Sequence, residues 1–534
     1  MAHLKFRKEV ATETVVENDS DKVLDAFTHE TIIHEPSRTT WRGYIWDSLD
    51  YPIDERRLML KVDMLVVFWG ALSSFIKYLD KSNFSNAYNS GLKEYLNVRG
   101  DEYNYANTGY NVASIICGYP CGWLMVRFNT KWFIMIIEIL WTVSTFSFVA
   151  VRTPFQMIVL RVILGVVECG HYGAFVFLIG TYYNKKELAR RQIILQSFTV
   201  LGPMFATYVQ AGASSSLAGR DGYTGWQWTY FIDGIASVAL IIPQMIFLPD
   251  ILDRVRPNRF LSVDEIVWLK SRLPPVEKAI EPEGWRAKLK EMSVFLTHWN
   301  VWAFWLFGAC QDLISLSNQT TQFWIKGWNT IKPGSYTVAQ INTLTSPMYA
   351  VEFAFSIGLG WISDTWLRGK RWPGIAFTGL WTFPMMIALA AIPVYGPKAP
   401  RFFLYYQTAV AGGSSGLYWG YAQEYFAANI RERAFVTGGI NVWAYIANSI
   451  VNPIWFKATE MPDVPTGHYI SAAFSIIYII DACALGFAEK YYMQEVQLDS
   501  SEQRKVEGGE GESGELERAE SQLQVDTTYV ASVK

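Results

Sequence analysis

The sequence predicts an all-α membrane protein of twelve transmembrane helices in two six-helix halves. Three observations lead there. Hydrophobic residues make up 51% of the 534-residue chain and charged residues only 18%, whereas ordinary soluble domains carry about 25% charge. The apolar residues come in blocks long enough to cross a bilayer, which takes about 20 helical residues. Local motifs in the first set of blocks recur in the second at an offset of about 240 residues, the mark of an internal repeat.

The first set of helices is predicted at roughly 62–82, 106–126, 131–150, 155–182, 192–213 and 228–248. The second is predicted at roughly 297–325, 340–363, 373–394, 402–425, 435–456 and 469–488. The domains follow: an N-terminal segment at 1–60, a first half at 61–248, a central loop at 249–296, a second half at 297–488 and a tail at 489–534. The central loop is hydrophilic with two amphipathic, helix-like patches. The tail is rich in Glu, Gly and Ser and holds too few apolar residues for a core, so disorder is expected there, as in the first 45 residues. No cleavable leader is visible, and the first apolar helix serves as its own signal anchor.

Lys and Arg in the loops orient the chain. Arg127 and Lys131, then Lys185, Lys186, Arg190 and Arg191, then Arg368, Lys370 and Arg371, then Arg431 and Arg433 fall on one side, with Arg254, Arg256 and Arg259 of the central loop. That side is expected to be cytoplasmic, with both termini. The five cysteines, at 117, 121, 169, 310 and 483, all lie in apolar segments and form no disulfide framework. Cys117 and Cys121 read as small packing residues. The formal net charge of −3 gives no sign of a nucleic-acid partner. There is no Walker loop for ATP, no Cys/His metal spacing and no nucleophile elbow, so neither a cofactor nor enzymatic chemistry is expected.

The repeat is legible in two loop pairs. GWLMVRFNTKW from Gly122 follows the second helix, and GWISDTWLRGKRW from Gly360 follows the eighth. The fourth helix exits through YYNKKELARR from Tyr182 and the tenth through YFAANIRER from Tyr425. Two halves in parallel repeat explain both pairs. This is the arrangement of the major facilitator fold, with a site between the halves near the bilayer midplane.

Charges inside spans cost roughly 2.5–3.5 kcal/mol on insertion scales, so each calls for a role. The first helix ends in IKYLDKSNFSNA, which places Lys77, Asp80 and Lys81 within about one turn. Lys77 and Asp80, three apart, are spaced to pair along the helix. In the fourth helix Arg161 and Glu168 are seven apart and share a face that Tyr172 extends. One reading is a proton and anion site: Asp80 and Glu168 exchange protons, and Lys81 attracts an anion. The other is a structural ion-pair network. Arg161 divides evenly between substrate contact and helix packing, and His171 reads as a packed or hydrogen-bonded histidine. Polar stripes run through two further spans: Gln311, Ser315, Asn318 and Gln322 in the seventh, and Asn441, Tyr445, Asn448 and Asn452 in the eleventh. They either line a cavity or bond neighbouring helices. The small residues Ala-Gly-Gly-Ser-Ser-Gly at 411–416 allow close helix approach or local unwinding beside a ligand. Glu138, Glu352 and Asp481 are acids in spans without an obvious partner.

FIKYLDKSNFSNAYNSGLKEYL from Phe75 resembles the first-helix signature of the fungal anion:cation symporters, the allantoate permease family of the major facilitator superfamily. Its pattern is most similar to the pantothenate and vitamin permease subgroup. The similarity runs from WDSLDYPIDERRLMLKVD at Trp46 to the end of the twelfth helix, and RVILGVVECGHYGAFVFLIGTYY in the fourth helix fits it. The resemblance implies proton-coupled uptake of a small organic anion, with Asp80 and Glu168 in proton coupling. Lys81 stands where the family often has Arg, and an ammonium lacks the bidentate fork of a guanidinium. In the loop at 122–132, Val126 stands where the other half has Asp364, so a gating contact is expected only in the second half, from Asp364 to Arg368 or Arg371.

The function expected is import of pantothenate with protons by a monomer in the lipid bilayer of the plasma membrane. Lys81, Arg161, Tyr172, Gln311, Ser315, Asn318, Asn441 and Asn448 are the candidate substrate contacts. Biotin, nicotinate, allantoate or a peptide-like acid are alternative substrates. Export and a non-transporting nutrient receptor are alternative functions.

Overall fold

The computed structural model describes residues 46–273, 285–367, 369–426 and 430–490. The N-terminal 45 residues, the tail from 491, part of the central loop, Arg368 and residues 427–429 lie outside the described residues. The described residues are helical with no strand, and each of the twelve expected spans is a helix. The first half holds α1 (Ile53–Tyr95), α2 (Glu102–Arg127), α3 (Thr130–Phe148), α4 (Pro154–Gly180), α5 (Lys185–Gly212) and α6 (Gly225–Phe247). The second holds α7 (Trp299–Ile331), α8 (Ser346–Thr365), α9 (Trp372–Ala391), α10 (398–425), α11 (Ile430–Trp455) and α12 (Pro465–Lys490). Among the described residues, eight helices are long and apolar enough by themselves to cross a membrane. The polar and aromatic residues of α2, α7, α8 and α10 lower their hydropathy below that level.

Local chemistry explains where the helices begin. Thr153 caps α4, accepting from Gln156 N at 3.3 Å, with Pro154 in the first turn. Asn184 with Glu187 and Thr224 with Gln227 form capping boxes at α5 and α6. Within the central connection Ser262 and Glu265 cap a short helix, Val263–Ser271, and a second runs Trp285–Phe295, so both amphipathic patches are helical.

The surface of α3 shows why the bundle suits lipid. Ile136, Ile139, Leu140 and Val143 face outward, while Glu138, Trp141, Thr142 and Thr145 are buried. An apolar exterior around a partly polar interior is what a bilayer favours, because no water is there to satisfy an exposed polar group.

The packing repeats as the motifs do. In the first half α1 packs on α5, α2 on α4 and α3 on α6. In the second α7 packs on α11 and α8 on α10, and Gly379 of α9 meets Ile479 and Ser475 of α12. The halves meet through α2 against α11 and through α5 against α8, which is the same pairing exchanged between repeats. Glycines set the closest crossings: a Cβ on Gly202 of α5 would lie 2.4 Å from Phe75 O of α1, and one on Gly165 of α4 would lie 2.3 Å from Tyr110 O of α2. The described residues form one unit through Asp481 and a second from Ala482, of which the described part is the last turns of α12.

Among the helices that depart from regular geometry are α1, α4 and α10. α1, expected to stop near 82, continues to Tyr95 through π turns at Asp63–Val67 and Tyr88–Leu92; Gly91, at φ 117°, makes the second possible. α4 is interrupted at Cys169 and Gly170, after Glu168. α10 tightens to a 3₁₀ stretch at Ala409–Ser414. There a Cβ on Gly413 would lie 2.7 Å from Phe355 Cβ, and one on Gly412 would collide with Glu352. The small residues at 411–416 thus serve the first reading, close approach of α8, and the helix tightens there rather than unwinding. Glu352 fills the space the glycines leave.

Candidate functional site

Tyr110 of α2 sits where the candidate charges converge. Its hydroxyl donates to Glu168 Oε2 at 3.0 Å, Arg161 Cζ lies 4.6 Å from its ring centroid, and Lys81 Nζ lies 5.3 Å from the same centroid. Lys81 also lies over the rings of Tyr78 at 5.7 Å and Tyr445 of α11 at 5.5 Å. The ammonium therefore lies among three tyrosine rings from both halves, a cation–π arrangement. Tyr110 and Tyr445 meet edge to face, with centroids 6.3 Å apart.

The expected Lys77–Asp80 pair does not form. The interruption of α4 leaves the Glu168 main-chain carbonyl facing α1, and Lys77 Nζ donates to it at 3.1 Å. Asp80 turns the other way and accepts from Thr145 Oγ1 of α3 at 2.6 Å. Spacing along one helix permits an i, i+3 pair, but a neighbouring helix offers each group a better-placed partner. Arg161 and Glu168 share a face without bonding each other. Arg161 Nη2 donates to Asn107 Oδ1 at 3.0 Å, and the guanidinium lies 4.4 Å from the Phe84 centroid. Arg401 of α10 sits at the repeat offset from Arg161 and is likewise buried against rings, those of Trp324 and Tyr405. Tyr172 donates to Gln196 Oε1 at 2.8 Å, and Gln196 Nε2 donates across the halves to Ser415 Oγ at 3.0 Å.

The polar stripes divide between roles. Gln311 Nε2 donates to Ala411 O at 3.3 Å, and Thr408 donates to Asn318 Oδ1 at 2.8 Å, so both bond the tightened part of α10. Ser315 donates back to Gln311 O at 2.9 Å. Gln322 joins the halves: Nε2 donates to Asn86 at 2.6 Å, and Oε1 accepts from Ser85 and Asn89, each at 3.2 Å. In α11, Asn448 Nδ2 donates to Asp312 Oδ2 at 2.7 Å and its Oδ1 accepts from Asn111 Nδ2 of α2 at 3.1 Å. Asn441 is half-buried one turn before Tyr445.

Each end of the bundle carries its own ion pairs. At the basic end Arg371 donates to Asp364 and, at 2.7 Å, to Glu424, while Arg190 of α5 reaches Asp364 across the halves at 3.6 Å. Burial works against the Arg371 charge, but Glu424 and Asp364 outweigh it and hold the guanidinium above the ordinary arginine range. The expectation that only the second half keeps such a contact needs correction. Asp63 at the start of α1 accepts from Arg191 at 2.8 Å and Tyr183 at 2.7 Å, and Arg272 of the central connection bonds Glu187. The first half draws its carboxylates from α1 and α5 rather than from position 126. At the opposite end, besides Gln322, Asn342 donates to Ser90 at 3.0 Å and Lys326 to Glu94 at 3.1 Å.

Several polar groups escaped the sequence reading. Asp312 lies beside the seventh-helix stripe, not on it, and its signal was its charge within a span. Asn104, Asn107, Asn111 and Ser114 form a stripe on α2 whose spacing was legible. Glu138 has partners after all: Ser73 donates to it, as does Gln244 at 3.0 Å, and His171 bonds Ser73 at 2.7 Å. The described cysteines are free, with Cys169 Sγ 3.2 Å from Cys121 Sγ.

Known proteins share the sequence pattern and fold of this chain. The family model described as Major Facilitator Superfamily matches residues 70–452. A pantothenate transporter of Schizosaccharomyces pombe is 26% identical over 443 residues, 82% of this chain and 82% of that protein. A pantothenate transporter of Saccharomyces cerevisiae is 24% identical, covering 79% of this chain and 82% of its own length. A vitamin H transporter of the same yeast is 25% identical, covering 79% and 71%. Among solved structures, the proton:xylose symporter XylE superposes with a TM-score of 0.56 at 13% identity, covering 78% of this chain and 94% of that one.

Proposed function

The chain belongs to the Major Facilitator Superfamily, and on that premise we propose that it is a proton-coupled symporter that imports a small organic anion, pantothenate. It is a multi-pass membrane transporter and not an enzyme; the substrate, the proton and the plasma-membrane location are our reading. The observation that carries this reading is the placement of Lys81. Its ammonium is caged by Tyr78, Tyr110 and Tyr445 at the junction of the halves, and Tyr110 also bonds Glu168. An anion at Lys81 and a proton at Glu168 would thus be read by one side chain.

In this mechanism the substrate carboxylate meets the Lys81 ammonium. A charge-assisted bond of that kind contributes roughly 1.5–3 kcal/mol. Protonated, Glu168 no longer offers Tyr110 a charged acceptor, so the ring that holds Lys81 is freed to shift as the halves move. Asp80, bonded to Thr145 inside the first half, serves as a second proton group. Arg190, Asp364 and Arg371 close the basic end, and Gln322 with Asn86 closes the other. Asn448, one turn from Tyr445, and its partner Asn111 suit the hydroxyl and amide groups of pantothenate. The related transporters named for pantothenate support this substrate, and the one named for vitamin H supports biotin as the second reading.

The test is uptake of labelled pantothenate in a host lacking its own permeases, challenged with excess unlabelled pantothenate, biotin, nicotinate and allantoate. Pantothenate is expected to compete best. Uptake that is absent, or that biotin blocks more strongly, overturns the assignment to pantothenate.

A further inference from the structure

Asp312 in α7 reaches the junction beside α11: the residue that holds it, Asn448, is one turn from Tyr445, whose ring lies 5.5 Å from the Lys81 ammonium. Asn448 Nδ2 of α11 holds its Oδ2 at 2.7 Å, and Asn111 Nδ2 of α2 holds Asn448 Oδ1 at 3.1 Å. This chain fixes the carboxylate across the two halves. The Lys81 ammonium acts on it electrostatically, and Tyr78 of α1, Tyr418 of α10 and Tyr445 of α11 also feel its charge. The contacts around Lys81 are tyrosine rings, and the bonded partner of Asp312 is Asn448. Asp80 is oriented differently: its bonded partner is Thr145 of α3, within the first half.

We propose that Asp312 is the exchangeable counter-ion of Lys81 and, alongside Glu168, a group that takes up the transported proton when the substrate anion arrives. In the empty carrier the two charges offset each other across the junction. An incoming carboxylate settles against Lys81, and the Asp312 carboxylate takes one proton from the same aqueous side. One anion and one proton enter, and the net charge of the site is unchanged. Release on the far side reverses both steps and restores the Lys81–Asp312 balance. A carboxylate left ionised beside a bound anion would repel it, which is why the two events are linked. This role rests on the symport reading and adds a proton group in the second half to those in the first.

The test uses full-length protein in proteoliposomes with labelled pantothenate and, separately, labelled biotin. For Asp312→Asn, accumulation driven by a pH gradient is expected to fall about tenfold or more, while counterflow exchange falls less than about threefold. Substrate-dependent proton movement is lost with it, and Asp312→Glu restores it. A purely structural residue would lose exchange and accumulation together, and that result overturns the proposal, as does proton movement that survives in Asp312→Asn. A substrate-free arm compares melting of Lys81→Met, Asp312→Asn and the double variant. Coupled charges predict that the double variant melts above Lys81→Met, because no lone charge remains; strictly additive losses overturn the pairing. A wild type that moves neither probe with protons overturns the symport reading, and the melting series still decides the pairing.

Discussion

Tyr110 shows how little of a transport site is visible one residue at a time. Its ring and hydroxyl touch a lysine, an arginine and a glutamate from two other helices, yet nothing in its local sequence marks it. Charges inside spans were legible because the bilayer makes them expensive. Their partners were not, because side chains three apart on one helix still choose among neighbouring helices, as Lys77 and Asp80 do. Glu168→Gln keeps the shape of the side chain but cannot ionise. It is expected to abolish concentrative uptake while the protein still reaches the membrane; normal accumulation at acid pH would remove Glu168 from coupling. Lys81→Ala is expected to raise KM about tenfold or more, in line with the loss of one charge-assisted contact. Lys81→Arg should be partly tolerated, since a guanidinium also sits over aromatic rings. An unchanged KM in the alanine variant would place Lys81 outside the substrate site.

At the scale of the helix, periodicity located each span but not its irregularities. The tightened turn of α10 and the interruption of α4 depend on what packs against them. The glycines of α10 were noticed, but only Glu352 and Phe355 of α8 explain them. The crossing of α1 and α5 makes a simple test. Gly202→Ala places a methyl group against the α1 backbone, where neither helix can yield without moving the other. It is expected to cost about 1–3 kcal/mol, as overpacking does, and to lower the melting temperature. Gly420→Ala has open space around its Cβ and is expected to melt like the wild type. Equal melting of the two variants would contradict the close approach of α1 and α5.

For the whole molecule, the paired loops revealed the repeat, and the packing carries it further: the same helix partners recur in each half, and α2–α11 mirrors α5–α8. The joints between halves were not legible, because Gln322, Asn448 and Asn342 find their partners more than two hundred residues away in most cases and follow no local pattern. The proposed topology sets the central connection and the loop between α5 and α6 on opposite sides of the membrane. Single cysteines at exposed positions, Asp264→Cys and Arg220→Cys, should therefore label from opposite sides; labelling of both from one side would contradict it. The central claim is that an organic anion and a proton cross together through the junction at Lys81 and Glu168. The most direct measurement follows labelled pantothenate and internal pH simultaneously in proteoliposomes under an inward proton gradient. Accumulation accompanied by internal acidification and collapsed by a protonophore is the predicted result. Accumulation indifferent to the protonophore, with no proton movement, would contradict the account.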